Sequence, residues 1–263
     1  MRNLLEISKS GLRSAERSLS VTANNIINAD TPGYTRQRVE KTPNGMQMTG
    51  YSTGLGVNIS NVNRLRNEMN DVLLNEKRQD MSYMQHKAQV FERLEATMAS
   101  DSGNDLDMSI SNLLDNFSEL ATDPQDKSVR NSLLSEAQQL TIKFGDISKN
   151  IDRNSELIQD SAIQTIDSVN GILQDINSLN KTISQAQAAG NPDNASLDLR
   201  VSKLSELSEM IDYDSQLTDH GEVEIRVGGV KVLDADKAEQ LRAEINDVDK
   251  TFRLRIGSGK LVE

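Results

Sequence analysis

The segment from residue 23 to residue 37 reads ANNIINADTPGYTRQ, and it ends the first helix that the sequence predicts. Its three asparagines weaken a helix because their side chains compete for backbone hydrogen bonds. Pro32 and Gly33 then stop the helix and favour a reversal of the chain. The segment therefore predicts a helix that ends in a polar turn, which is typical of a docking element.

Upstream of this segment, large apolar residues recur at every seventh position. This row, called the leucine row below, consists of Leu5, Leu12, Leu19 and Ile26, and small residues stand three positions after its first three members. A seven-residue apolar repeat predicts a coiled-coil seam. Four large side chains cannot offset the ordering entropy of about 25 residues, at roughly 1 to 2 kcal/mol each, so the helix needs partners.

The signature segment, residues 24–37, resembles the N-terminal signature of the bacterial flagellar axial proteins, which form the rod, the hook and the hook-filament junction. The matching positions are Asn24, Asn25, Ile26, Asn28, Ala29, Thr31, Pro32, Gly33, Tyr34, Arg36 and Gln37. The ending Tyr34-x-Arg36-Gln37 is most similar to the hook-associated proteins of the junction. Ile27 departs from the pattern, since the family usually has Ala or Ser there.

Two further elements are similar to the junction proteins. One is Gly54-x-Gly56-Val57 followed by Arg64. The other is Asp198-Leu199-Arg200, which resembles a family Asp-x-Arg-Asp although Val201 replaces the second Asp. Together with the signature segment and the long helical stretch, these elements extend the resemblance over most of the chain.

The resemblance implies a structural subunit that joins hook to filament by self-assembly into a ring, with no catalytic step. The implied partners are neighbouring copies of the chain, hook subunits, the next hook-associated protein, and an export chaperone acting on a C-terminal region not in this chain. It also implies an extracellular location in the flagellum, reached through the flagellar export apparatus without a cleavable signal peptide. We expect the interface to combine the leucine row with Asn24, Asn25, Asn28, Thr31, Pro32, Gly33, Tyr34, Arg36 and Gln37.

Other functions remain open at this point. A hook or distal-rod axial subunit would share the signature, although such subunits generally lack the long helical bundle predicted here between residues 65 and 189. A secreted coiled-coil scaffold or effector would show similar helical periodicity. A hydrolase would need a polar constellation within residues 195–263.

Amino-acid composition and net charge limit the possible folds, binding partners and reactive sites further. Only 3% of the 263 residues are aromatic and none is tryptophan, which favours elongated helices over a thick globular core. The formal net charge of -11 argues against binding to nucleic acid or to an anionic membrane. With no cysteine, the chain has no disulfides, thiolate metal sites or thiol nucleophiles.

Few side chains are suited to catalysis or to metal binding. The two histidines, His86 and His220, stand apart, and the spacings typical of zinc sites are missing from the sequence. The Gly54-x-Gly56 pair is followed by neither a third glycine nor Lys-Thr, so it indicates a turn rather than a phosphate loop. We therefore expect no catalytic residue, no metal and no cofactor.

The periodicity of apolar residues after the signature segment predicts a mainly α protein. We expect an elongated antiparallel helical bundle or coiled coil with small β-hairpin elements. Helices are expected over residues 65–99, 106–121, 124–189 and 197–211, with Asp123 as the cap of the third. Strands are expected over residues 37–41, 57–62, 222–227, 230–233 and 251–256, with turns at 42–45 and 228–229. In the third helix a seven-residue row runs from Ala137 to Ala186.

We divide the chain into four parts. These are the N-terminal axial helix with its signature (1–37), a β-hairpin connector (38–64), the long helical bundle (65–189) and a small α+β module (190–263). The last part resembles the beginning of a β-rich module. Family members pair the N-terminal helix with a second, C-terminal helix, and no similar row recurs after residue 235. We expect either that the chain is a fragment or that another subunit covers the leucine row.

Overall fold

The computed structural model describes residues 2–44, 56–98, 106–234, 237–246, 251–257 and 259–262. Within these residues the chain is mainly helical, as the sequence predicts. The helices are α1 (Arg2–Ile27), α2 (Glu68–Met98), α3 (Leu106–Thr122), α4 (Lys127–Ala188) and α5 (Asn194–Ser208). The strands are β1 (Gln37–Pro43), β2 (Val57–Arg64), β3 (Asp214–Leu217), β4 (Val223–Val227), β5 (Val230–Leu233), β6 (Leu241–Ile245), β7 (Phe252–Ile256) and β8 (Lys260–Val262).

The strands form three small antiparallel sheets. The first is the predicted hairpin of β1 and β2, in which Gln37 lies opposite Arg64. The second has the order β3-β4-β5, and its β4–β5 turn uses Gly228 and Gly229, both with positive φ. The third has the order β6-β7-β8. Strands β3 and β6 were not predicted. β3 has no run of alternating apolar residues, and β6 alternates Leu241, Ala243 and Ile245 with charged residues but contains Ala and Glu, which are depleted in strands.

The chain forms two compact units, of which the first contains residues 1–78 and 171–239. Its apolar core combines the C-terminal part of α4 with α5 and the second sheet. The buried side chains of this core are Ile172, Leu173, Ile176, Ile183, Leu204, Leu207, Tyr213, Val223, Ile225, Val227, Val232 and Leu233. This unit also contains α1 and the β1–β2 hairpin.

The second unit contains residues 79–170 and 240–263. Here α3 lies beside α4, since Lys143 Nζ of α4 donates a hydrogen bond to Ser109 Oγ of α3 at 2.8 Å. The buried apolar side chains of the unit are Ile166, Val169, Leu241 and Ile256. Phe144, Ile151 and Ile158 of the predicted α4 row are exposed, whereas Ile172 further along the same row is buried in the first unit.

Two local predictions are wrong. Thr42 and Pro43 belong to strand β1 instead of a turn, while the remaining glycine of that turn lies outside the described residues. Helix α4 begins after Asp126, whose Oδ1 accepts from the backbone N–H of Ser128 at 2.7 Å. Asp123 accepts from Gln125 N–H in a separate preceding turn, so the later aspartate is the cap. The predicted break at residues 101–105 lies outside the described residues.

The junction between α4 and α5 follows the predicted stop. Gly190 has a φ of 70°, and its N–H donates to the Gln187 carbonyl at 2.9 Å. Asn191 N–H donates to the Ala186 carbonyl at 2.9 Å, which completes a Schellman motif. Asp193 then caps α5, since its side chain accepts hydrogen bonds from the N–H groups of Ala195 and Ser196. The hydrogen bond from Ser196 Oγ, together with these two, lowers the pKa of the Asp193 carboxyl. This cap starts α5 at Asn194, three residues earlier than predicted.

Candidate functional site

Helix α1 buries one face against the β1–β2 hairpin. Val21 and Ser14 are buried on this inner face, seven residues apart, and α1 contacts both strands. Ser10 Oγ accepts a hydrogen bond from Val57 N–H at 3.3 Å. Gly56 has a φ of 95°, and a Cβ at this position would overlap Ser10 Oγ. Gly56, the second glycine of the Gly-x-Gly-Val element, is therefore required for the close approach of the hairpin to α1.

The leucine row occupies the opposite face of α1 and is exposed. The exposed fractions are 69% for Leu5, 72% for Leu12, 71% for Leu19 and 71% for Ile26. Leu4 and Ile27 are exposed beside them. Proteins that act as monomers rarely leave contiguous apolar surface of this kind in water. The helix therefore obtains a partner within its own chain on one face and leaves the other face open.

Asn25 holds the end of the signature segment to α1. Its Nδ2 donates to the Gln37 carbonyl at 2.9 Å, and its Oδ1 accepts from Gln37 N–H at 2.9 Å. Tyr34 Oη donates to the same Oδ1 at 2.9 Å. The amide of Asn25 thus pairs with the first residue of β1 as a neighbouring strand would. Asn25, Tyr34 and Gln37 are brought together, but by contacts inside the chain.

The other predicted interface residues lie around this cluster. Asn28 Nδ2 donates to the Asn24 carbonyl at 3.0 Å, and Thr31 Oγ1 donates to Asn28 Oδ1 at 3.3 Å. Gly33 has a φ of 81°, as the reversal of the chain requires. Of the predicted polar and turn residues of the interface, the exposed ones are Asn24, Thr31, Pro32, Gly33 and Arg36. Asn24 and Gln37 also line a groove of about 430 Å³ between α1, the hairpin and the turn before α5.

The pairing made by Asn25 occurs twice more, on helix α4. Asn180 Nδ2 donates to the Val223 carbonyl at 2.9 Å while its Oδ1 accepts from Val223 N–H at 3.1 Å. Asn170 makes the same two bonds with Leu241, at 2.9 and 2.8 Å. Val223 and Leu241 are the first residues of β4 and β6. Each sheet is therefore attached to a helix by an asparagine that pairs with the first residue of a strand.

A cluster of charged side chains fixes the signature segment to α5. Asp198 Oδ2 accepts from Thr35 N–H at 3.1 Å, and Asp198 Oδ1 lies 2.9 Å from Arg64 Nε. Arg66 pairs with Asp71 at 2.6 Å and donates to Thr35 Oγ1 at 3.1 Å. Burial lowers the pKa of Arg64, and the charge of Asp198 opposes that shift. Arg64 and Asp198 were noted in the sequence only for their family resemblance, since spacing does not reveal a contact between distant residues.

Arg200 is a buried cation beside this cluster. Its Nη1 donates to Asn180 Oδ1 at 3.0 Å and to the Gly221 carbonyl at 2.6 Å. Burial, with a smaller effect from Arg64, lowers its pKa to about 10, so the guanidinium remains charged at neutral pH. Its neutral acceptors hold the loop before β4 against α4, which indicates a structural role.

The described residues offer no constellation for metal chemistry. Within the described part of the chain, His, Asp and Glu side chains nowhere converge in groups of three or more that could hold a metal ion. Both histidines are exposed. A cleft of about 530 Å³ in the first unit is lined by Arg64, Arg66 and Arg200 together with acidic and apolar side chains. Among the described helices, none has an apolar stretch long enough to cross a membrane.

Comparison with known proteins adds two family matches. Residues 91–262 match the model of the flagellar hook-associated protein FlgK helical domain. Residues 5–35 match the model of the flagella basal body rod protein, and this range covers most of α1 and most of the signature segment.

Two individual relatives share the name flagellar hook-associated protein 1. The chain is 27% identical over 216 residues to flagellar hook-associated protein 1 of Bacillus subtilis strain 168, covering 79% of this chain and 43% of that protein. It is 25% identical over 256 residues to the Escherichia coli K12 protein of that name, covering 95% of this chain and 46% of the relative. The chain therefore spans less than half the length of these relatives.

A solved structure has a similar fold. The flagellar hook junction protein FlgK from Burkholderia pseudomallei superposes with a TM-score of 0.61 at 19% identity, covering 70% of this chain and 33% of that one. The match of residues 91–262 extends over more than half of the chain. The chain belongs to the family of the flagellar hook-associated protein FlgK helical domain.

Proposed function

We propose that this chain is part of a structural subunit of the bacterial flagellum that joins hook to filament, and that it acts by self-assembly with no chemical step. One observation carries the proposal: four large apolar residues at seven-residue spacing stay about 70% exposed on a helix whose other face is buried. Such a row gains stability only when another helix covers it. The name of these relatives, flagellar hook-associated protein 1, supplies the context of the flagellar hook.

The proposed partners follow from this assignment. Neighbouring copies of the chain cover the leucine row lengthwise, with hook subunits on one side of the ring and the next hook-associated protein on the other. The exposed residues Asn24, Thr31, Pro32, Gly33 and Arg36 border this interface. Asn25, Tyr34 and Gln37 shape it from inside the chain through their mutual hydrogen bonds. The subunit works outside the cell, after export through the flagellar apparatus.

The expected gain from assembly can be calculated per side chain. Full burial of a leucine contributes roughly 1.5 to 3 kcal/mol, of which about 70% is still available in the free chain. Each row residue therefore adds about 1 to 2 kcal/mol to association, which is about 5- to 30-fold in the association constant. Replacing Leu12 and Leu19 by aspartate removes this contribution and adds two charges to the seam.

The test replaces the gene in a flagellated cell with Leu12→Asp/Leu19→Asp. Electron microscopy should show hooks without filaments, because the junction fails to form. Ser20→Asp is the charge control, since it adds a negative charge to α1 at an exposed position outside the row. Normal filaments on the double variant, with the protein exported at wild-type levels, would refute the proposal.

The match of residues 5–35 to the basal body rod model favours a second candidate, a hook or distal-rod subunit. The match of residues 91–262 to the hook-associated protein model favours the junction instead. Gene deletion separates the two candidates. Loss of a junction subunit should leave hooks without filaments, whereas loss of a rod subunit should leave no hooks.

A further inference from the structure

One face of α5 contacts the N-terminal element, defined here as α1 with β1 and β2. Asn194, Asp198 and Ser202 are four residues apart, so they share this face. Asn194 Nδ2 donates to the Val62 carbonyl of β2 at 2.9 Å. At the other end of the face, a Cβ placed on Gly33 would lie 3.8 Å from Ser202 Cβ. The contact between α5 and the N-terminal element therefore uses polar and small side chains.

Asp198, at the centre of this face, contacts the N-terminal element at two points, the connection between α1 and β1 and the end of β2. Thr35 follows the turn that ends α1, and its N–H donates to Asp198 Oδ2 at 3.1 Å. Arg64 ends β2, and its Nε lies 2.9 Å from Asp198 Oδ1. Both side chains of this ion pair are only 12% exposed. The pair is an ion pair without hydrogen-bond geometry, since among the described residues neither Arg64 Nε nor Asp198 Oδ1 has a hydrogen-bond partner.

Polar contacts such as those between α5 and the N-terminal element fix the orientation of α1 more closely than apolar contacts do. Apolar packing is non-directional, whereas hydrogen bonds weaken steeply away from their preferred angles. Since the α5 face is polar, we expect its polar contacts to set the angle between α1 and the core of the first unit. Asp198 supplies two of these contacts, the hydrogen bond from Thr35 N–H and the ion pair with Arg64.

We propose that Asp198 is a positioning residue for assembly: by holding Thr35 and Arg64 together, it sets the direction in which the leucine row faces. This inference rests on the proposed function of the leucine row and adds to it a residue that does not belong to the interface. A ring of identical subunits requires every copy to present its seam at the same angle. A carboxylate on α5 can impose that angle on each copy before assembly.

The test measures the orientation of α1 in the free chain. Spin labels on Glu16→Cys and Lys181→Cys, both exposed and both in the first unit, report the distance between α1 and α4, and the absence of native cysteine makes the labelling specific. The wild type should give one narrow distance distribution by double electron–electron resonance. Asp198→Ala should broaden or shift it, whereas Asp198→Asn should broaden it less, because an amide oxygen still accepts from Thr35 N–H.

The control is Asp175→Ala, which removes the 3.0 Å ion pair between Asp175 of α4 and Lys203 of α5. Within the described part of the chain, Asp175 makes no hydrogen bond or ion pair with the N-terminal element. Its distance distribution should match the wild type. If Asp198→Ala fails to fold by circular dichroism, Arg64→Gln tests the same pair. Wild-type distributions in every folded variant of Asp198 and Arg64 would overturn the proposal.

The two proposals fail separately. If Asp198→Ala broadens the distribution while Leu12→Asp/Leu19→Asp still builds filaments, the proposed function falls and the positioning role remains. If the leucine variants abolish filaments while Asp198→Ala leaves the distribution unchanged, the positioning role alone falls.

Discussion

Replacing Asn180 by alanine should destabilise the first unit more than any surface change on α4. Asn180 is fully buried, and its amide makes two bonds to Val223 and accepts a third from Arg200. The alanine variant leaves the N–H and carbonyl of Val223 without this partner in an apolar core. Each unsatisfied buried group costs about 1 to 3 kcal/mol, so the expected loss is about 2 to 6 kcal/mol. This is a large share of a typical stability of about 5 to 15 kcal/mol.

Urea denaturation followed by circular dichroism measures the loss in the free energy of unfolding. Lys181→Ala is the matched control, because it changes the next residue of the same helix at an exposed position and should alter stability by about 0.5 kcal/mol or less. Amide hydrogen exchange locates the effect: Asn180→Ala should accelerate exchange at Val223, and Asn170→Ala should do so at Leu241. Unchanged exchange at Val223, or a stability loss no larger than that of Lys181→Ala, would refute the reasoning.

Three further predictions concern single side chains. Asp193→Ala should lower the free energy of unfolding by about 1 kcal/mol at neutral pH by removing the cap of α5. Folding lowers the pKa of this carboxyl below its ordinary value of 3.8, so the cap stabilises above that pH and its contribution is lost as pH falls through the folded pKa. Acid titration of the unfolding free energy should therefore bring variant and wild type together. Ser14→Ala should leave thermal stability unchanged or raise it, since Ser14 Oγ is buried and has no hydrogen-bond partner among the described residues, and a clear fall in melting temperature would contradict this. Gly56→Ala should destabilise the contact between α1 and the hairpin by more than 1 kcal/mol, because it combines a positive φ with a clash against Ser10, and unaltered amide exchange in α1 would count against it.

The sequence predicts the helices well because their signals are local. The leucine row predicts α1, and Gly190 followed by Pro192 predicts where α4 ends. The sequence predicts which residues of α4 share a face but not which of them are buried. The row residues Phe144, Ile151 and Ile158 look equivalent to Ile172 in sequence, yet only Ile172 is buried. Periodicity identifies a face of a helix, but what covers that face depends on contacts with distant residues.

The polar contacts of the candidate site could not be predicted for the same reason. Asn25, Asn170 and Asn180 are ordinary helical asparagines in the sequence, and nothing local distinguishes them from exposed ones such as Asn150. Asp198 and Thr35 are 163 positions apart. A single sequence gives no pairing information at that distance. Only the family resemblance pointed to the Asp198-Leu199-Arg200 element, without showing what it contacts.

The structure separates two roles among the predicted interface residues that the sequence combines. Asn25, Tyr34 and Gln37 satisfy one another's hydrogen bonds, so their substitution should first disturb the fold of the N-terminal element. The leucine row makes little use of its apolar surface inside the chain, so its substitution should first disturb association. A loss of function caused by Asn25→Ala should therefore coincide with faster amide exchange in β1. A loss caused by Leu12→Asp should leave that exchange unchanged, because the apolar face it alters is the one turned away from the hairpin.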